Sequence, residues 1–199
     1  MNPSTSEAID RSGSCGHPHG HSRGHALRHR WPAVVGALAA VSSFLTGADR
    51  TTVGIVVAIA ATCYFSAAAL GRPWVAWAAI PGGSVLIVAG GVLGAGPLVT
   101  LGVVAAILTV VALALGVSRT PVTVEAAGLL AYGGLVALGF ALAPTAGLVL
   151  VAVTLVAHAA WDVAHLRRGG AVVPRSLSEF CVVLDVLLGA AILAELVLF

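Results

Sequence analysis

The chain contains no lysine and no glutamine, and only 9% of its 199 residues are charged, against about a quarter in an ordinary soluble domain. Each shortage excludes something. Without lysine there is no amine for a retinal-type Schiff base, and without glutamine the Pro-Gln signature of small seven-span sugar transporters cannot occur. Walker loops, His-Glu-x-x-His, Gly-x-Ser-x-Gly and a dinucleotide fingerprint placed after a strand are also missing, and His158 and His165 are seven apart rather than four. This silence leans against an enzyme. The three cysteines are odd in number, with Cys15 in a polar tail and Cys63 and Cys181 in apolar segments, so no structural disulfide is expected and a reducing compartment is implied.

What is present is apolar: 59% hydrophobic residues, a mean hydropathy of +1.03 and 24 glycines, the last being favoured where membrane helices pack closely. The expected fold class is all-α, a polytopic transmembrane helix bundle. At about 20 residues per span the length leaves room for roughly six to eight spans. The localisation expected is a cell membrane, multi-pass, and the Ala, Gly, Val, Leu and Arg usage without Lys suggests the cytoplasmic membrane of a GC-rich bacterium.

Residues 1–30 hold no apolar run and are rich in His, Gly and Ser, which reads as a disordered cytoplasmic tail rather than a signal peptide, with residues 31–199 forming the transmembrane domain. Seven apolar segments follow, approximately 31–46, 51–70, 73–93, 97–117, 121–142, 144–165 and 178–198, their borders marked by prolines and by the few charges. The first is the shortest. Ser176-Leu177-Ser178-Glu179 has the form of a capping box and predicts a helix start just before Phe180. Pro81-Gly82-Gly83 interrupts the third segment and predicts a kink or a break. Gly90 with Gly94, and Gly133, Gly134 and Gly139 beside Tyr132, read as helix-packing faces.

With seven spans and the tail inside, nine of the ten arginines fall on one side and only Arg50 on the other, so the positive-inside bias places the N-terminus in the cytoplasm and the C-terminus outside. This orientation gathers the scarce polar residues. On the sixth segment His158, Asp162 and His165 share one helix face within an arc of about 60°. Cys181 and Asp185 share a face of the seventh, Glu125 lies just inside the fifth, and Cys63, Tyr64 and Ser66 lie in the inner half of the second. His158, Asp185 and Cys63 then sit about 10 to 12 Å below the inner surface. Each ionisable group near the bilayer centre costs about 2.5 to 3.5 kcal/mol, so these groups require partners or water.

Two accounts of the stripe stand side by side: interhelical hydrogen-bond glue with His165 reaching the headgroups, or a functional site. The favoured reading is a proton-linked transporter or permease for a cation or small solute, with His158, Asp162, Asp185 and Glu125 as the ion site. The alternatives are a membrane metalloenzyme acting on a lipid-borne substrate, with His158, His165 and Asp162 as metal ligands, and a non-catalytic metal-sensing subunit. In the tail, Cys15, His17, His19 and His21 form a compositional metal-binding signal. A divalent transition metal such as zinc is the cofactor these patterns suggest. The expected partners are the lipid bilayer and a small solute or cation, no nucleic acid is expected, and a homo-oligomer is left open.

Overall fold

A computed structural model describes residues 30–198, so Cys15, His17, His19 and His21 lie outside the described residues. The described chain is all-helical: α1 (Trp31–Leu45), α2 (Arg50–Leu70), α3 (Val75–Val92), α4 (Pro97–Leu115), α5 (Arg119–Ala141), α6 (Pro144–Arg167) and α7 (Arg175–Leu198). Six of these are long and apolar enough to cross a membrane, and the chain is a multi-pass membrane protein. The first helix, at 15 residues, is about 22 Å long and falls short of a hydrocarbon core of about 30 Å. It nevertheless follows α7 along most of its length. Gly36 abuts the Phe180 carbonyl near one end, and Phe44 and Leu45 share a cavity wall with Glu195 and Leu196 near the other.

Local chemistry explains most of the borders. Asp49 caps α2: its Oδ1 accepts from the Thr52 backbone N–H and hydroxyl, both at 2.8 Å, and these bonds, the backbone one first, hold the carboxyl below its ordinary pKa. Gly71 and Gly116 end α2 and α4 at φ 61° and 63°, a left-handed conformation that costs glycine least. Pro97 and Pro144 open α4 and α6 at positions where no N–H is needed.

One border reading is corrected, and of the two readings of Pro81 the break falls away. The seventh helix begins at Arg175, not just before Phe180, because the Pro174 carbonyl already accepts from the Leu177 and Ser178 N–H groups; Ser176 instead accepts from Trp77 Nε1 at 3.0 Å. Pro81 does not break α3, which stays helical through it. Gly94, at φ 78°, belongs to the turn after α3, whereas Gly90 is a true contact point, with no room for a Cβ beside Thr100.

The centre of the bundle is α2, which packs against α3, α4, α5 and α6, while α7 lies between α1 and α6. Its second half runs almost entirely through small or short residues, from Ala60 to Ala69, and only Tyr64 and Phe65 are large. Small side chains let four neighbours approach one helix. Arg50 locks its start to the end of α5, with Nη1 donating to the Leu142 carbonyl at 2.7 Å. At the opposite end Trp77 of α3 stacks on Trp31 at 5.5 Å and tilts against Phe180 at 5.4 Å, tying α1, α3 and α7 together. By contrast α4 and α5 hardly touch, and an apolar cavity of about 550 Å³ opens between α2, α4 and α5.

Candidate ion site

The sixth and seventh helices approach closely where Gly189 meets the Ala152 carbonyl and the Val156 side chain, leaving no room for a Cβ without displacement. One turn away this closeness has a chemical consequence: Nδ1 of His158 on α6 lies 2.9 Å from Oδ2 of Asp185 on α7. The same nitrogen is 3.4 Å from Oδ2 of Asp162, one turn along α6, a charge contact without hydrogen-bond alignment. His158, Asp162 and Asp185 are all 0% exposed, and one donor atom from each lies within 4.8 Å of the others.

The second helix completes the arrangement. Tyr64 donates its hydroxyl proton to Asp162 Oδ1 at 2.5 Å, and the Ser178 hydroxyl, 3.2 Å from the phenol oxygen, is placed to donate to Tyr64 in turn. One oxygen of Asp162 is thereby fixed and the other is left facing His158. Tyr132 of α5 closes another side, with its ring edge-on to the imidazole at 4.8 Å. Within this enclosure His158 Nε2, Asp162 Oδ2 and Asp185 Oδ1 have no hydrogen-bond partner. Orphaned buried polar atoms carry a cost of about 1 to 3 kcal/mol each, more when charged, so three together make a charge-rich cluster whose members do not fully satisfy one another.

His165 and Glu125 form a separate pair. Nε2 of His165 is 3.1 Å from Glu125 Oε1, in poor alignment for a hydrogen bond, and Trp161 Nε1 donates to Glu125 Oε2 at 3.3 Å. Gly128 leaves space for that indole against α5. The Tyr64 ring lies edge-on to both imidazoles, 5.7 Å from His158 and 4.8 Å from His165, and so stands between the two groups.

Among the described residues, those singled out as intramembrane ligands are buried, and they divide: His158, Asp162 and Asp185 converge, while Glu125 and His165 meet one another beside them. Cys63 and Cys181 are both buried and line a common cavity of about 180 Å³ between α2, α3 and α7. Tyr64 and Ser178 were not among the expected site residues. Tyr64 carries a sequence signal, a phenol at matching depth on a helix of small residues, whereas Ser178 reads as a cap until its spacing of one turn to Cys181 and two turns to Asp185 is considered. Comparison with models of known protein families, with curated proteins and with solved structures found no match to this chain.

Proposed function

We propose that the chain is a small proton-linked transporter or permease of the bacterial cytoplasmic membrane, with its Arg-rich end in the cytoplasm and with His158, Asp162 and Asp185 as the site that a proton or cation occupies. One observation carries this reading: an imidazole and two carboxylates, fully buried on two helices and touching one another, retain three unpartnered polar atoms. A purely structural polar contact in a membrane interior satisfies its members, since hydrocarbon offers no other partner.

The chemistry follows from the charges. With the imidazole protonated, His158 sits between two anions and neutralises one of them; with a cation present, the cation takes that role and the imidazole proton is released. Exchange of one for the other is the proton linkage. Glu125 and His165, next to Tyr64, form a second ionisable station towards the Arg-rich end. Fully buried aliphatic residues Val151, Leu155 and Leu188 and the nearly buried Ile192 line the helices on the other side, so passage requires α6 and α7 to move apart.

Uptake by proteoliposomes under an imposed pH gradient tests the proposal, with sodium, potassium, magnesium, calcium and zinc offered separately. Flux of at least one ion that is lost in Asp162→Asn and Asp185→Asn is the expected result. Flux equal to the wild type in both variants, or none in the wild type for any ion or for protons alone, removes the reading.

A further inference from the structure

Beside the cluster lies the cavity that holds both buried thiols. Cys63 precedes Tyr64 on α2, and Cys181 lies between Ser178 and Asp185 on one face of α7, one turn from each. The α7 face that carries the hydroxyl and the carboxylate of the cluster thus also presents sulfur to this space of about 180 Å³, while Cys63 enters it from the α2 face next to that of Tyr64 and Ser84 of α3 borders it from the other side. Nitrogen, carboxylate oxygen and sulfur are thus offered within a few residues of one another.

That donor mixture selects among cations. Magnesium and calcium take six to eight oxygens, whereas imidazole and thiol suit ions of borderline softness such as zinc, nickel, cobalt and copper. The spacing is near what a metal needs. Metal bonds of about 2.0 to 2.2 Å in a tetrahedron place neighbouring ligand atoms about 3.3 to 3.6 Å apart; the 3.4 Å from His158 Nδ1 to Asp162 Oδ2 falls in that range, whereas the 2.9 Å to Asp185 Oδ2 is a hydrogen bond that must lengthen on loading. Two carboxylates balance a double positive charge. Tyr64, donating to the far oxygen of Asp162, turns the near one inward in the way that outer hydrogen bonds orient ligating carboxylates. Independently, the sequence before the bundle carries Cys15, His17, His19 and His21, a tract of the same ligand class.

We infer that the species bound by the cluster is a divalent transition-metal ion of borderline softness, held by Nδ1 of His158, the unpartnered Oδ2 of Asp162 and one oxygen of Asp185, with Nε2 of His158 outside its coordination, and that Cys63 and Cys181 line its route from the neighbouring cavity. This rests on the reading of the cluster as an ion site.

The test uses zinc alone on the full-length protein in detergent, with Cys15, His17, His19 and His21 replaced by serine so that the tail does not contribute. Equilibrium dialysis is expected to leave one zinc per chain, and X-ray absorption a first shell of nitrogen and oxygen at about 2.0 to 2.2 Å. Asp185→Asn should weaken retention about 10- to 100-fold. Cys63→Ser with Cys181→Ser should slow loading and leave the amount bound at equilibrium unchanged. No zinc retained, a first shell made only of sulfur, or displacement by a modest excess of magnesium overturns the metal assignment; unchanged loading in the double serine variant overturns the route. Because the dialysis and absorption readings need no change in the cluster, a misfolded Asp185→Asn does not decide them. Absent zinc with a proton or alkali-ion flux that Asp185→Asn abolishes refutes this inference and leaves the transport reading standing. Zinc retained without flux of any ion does the reverse.

Discussion

α2 and α4 are similar in length and both strongly apolar, yet 78% of the spanning window of α2 is buried inside the bundle and only 11% of that of α4. The more apolar of the two is the one outside. In water the ranking would be the opposite, but lipid is as apolar as leucine, so hydrophobicity does not drive helices together there; small residues and polar contacts do. α2 is the richer in Ala and alone of the two carries Ser, Cys and Tyr, whereas α4 is dominated by Leu and Val, and α2 packs against α6, which carries two members of the cluster. α3 and α4 contribute no ionisable side chain to the interior. The protein thus has a close-packed, polar half around α2, α6 and α7 and a looser apolar half, and function is proposed only for the first.

The largest expected effect separates the halves by their hydroxyls. Tyr64→Phe removes the donor that fixes Asp162 and should lower ion affinity about 10- to 100-fold in a binding titration, at unchanged helix content. Thr109→Val, in α4, deletes a hydroxyl bonded only to the Ala105 carbonyl of its own helix and should change nothing measurable. Equal losses in the two variants would erase the distinction.

Glycine substitutions probe the same contrast through packing. Gly189→Ala places a methyl against the Ala152 carbonyl and Val156 and should destabilise by about 1 to 3 kcal/mol, whereas Gly133→Ala, with open space beside it, should be neutral or stabilising by up to about 1 kcal/mol. Thermal unfolding in one detergent compares them directly. Arg50→Ala, which frees the Leu142 carbonyl, is expected to cost about 1.5 to 3 kcal/mol by the same measurement, placing the α2–α5 anchor with the packed half.

The smallest effect lies at the exposed start of α2, at the edge of the packed half. Asp49→Ala should cost about 1 kcal/mol through loss of the α2 cap. The folded carboxyl titrates below its unfolded value, so this contribution is present above the ordinary carboxylate pKa and fades as pH falls through the lowered one. A wild-type minus Asp49→Ala stability difference that stayed constant into strong acid would contradict that origin.

Much of this organisation is legible in the chain. Prolines, scarce charges and apolar lengths mark the helices to within a few residues, because the bilayer dictates length and capping dictates ends. The face shared by His158 and Asp162 follows from helical periodicity alone. What the pattern does not disclose is rotation and partner choice: that Asp185 faces His158 while Glu125 takes His165 depends on where Gly189 and Gly128 let helices approach. Arg50 illustrates the same limit. It stands out from the sequence as the one cation against the charge bias, and its reason, a carbonyl at the end of α5, is tertiary.

The central claim is that the buried trio is an occupied ion site and not a structural contact. Proteoliposomes containing wild-type or Asp185→Asn protein, matched for thermal midpoint and content, give the most direct test, read as the internal pH change when zinc is added outside. The account predicts a zinc-dependent pH change in the wild type that is lost in the variant. An equal response in both, with the fold intact in each, would contradict it.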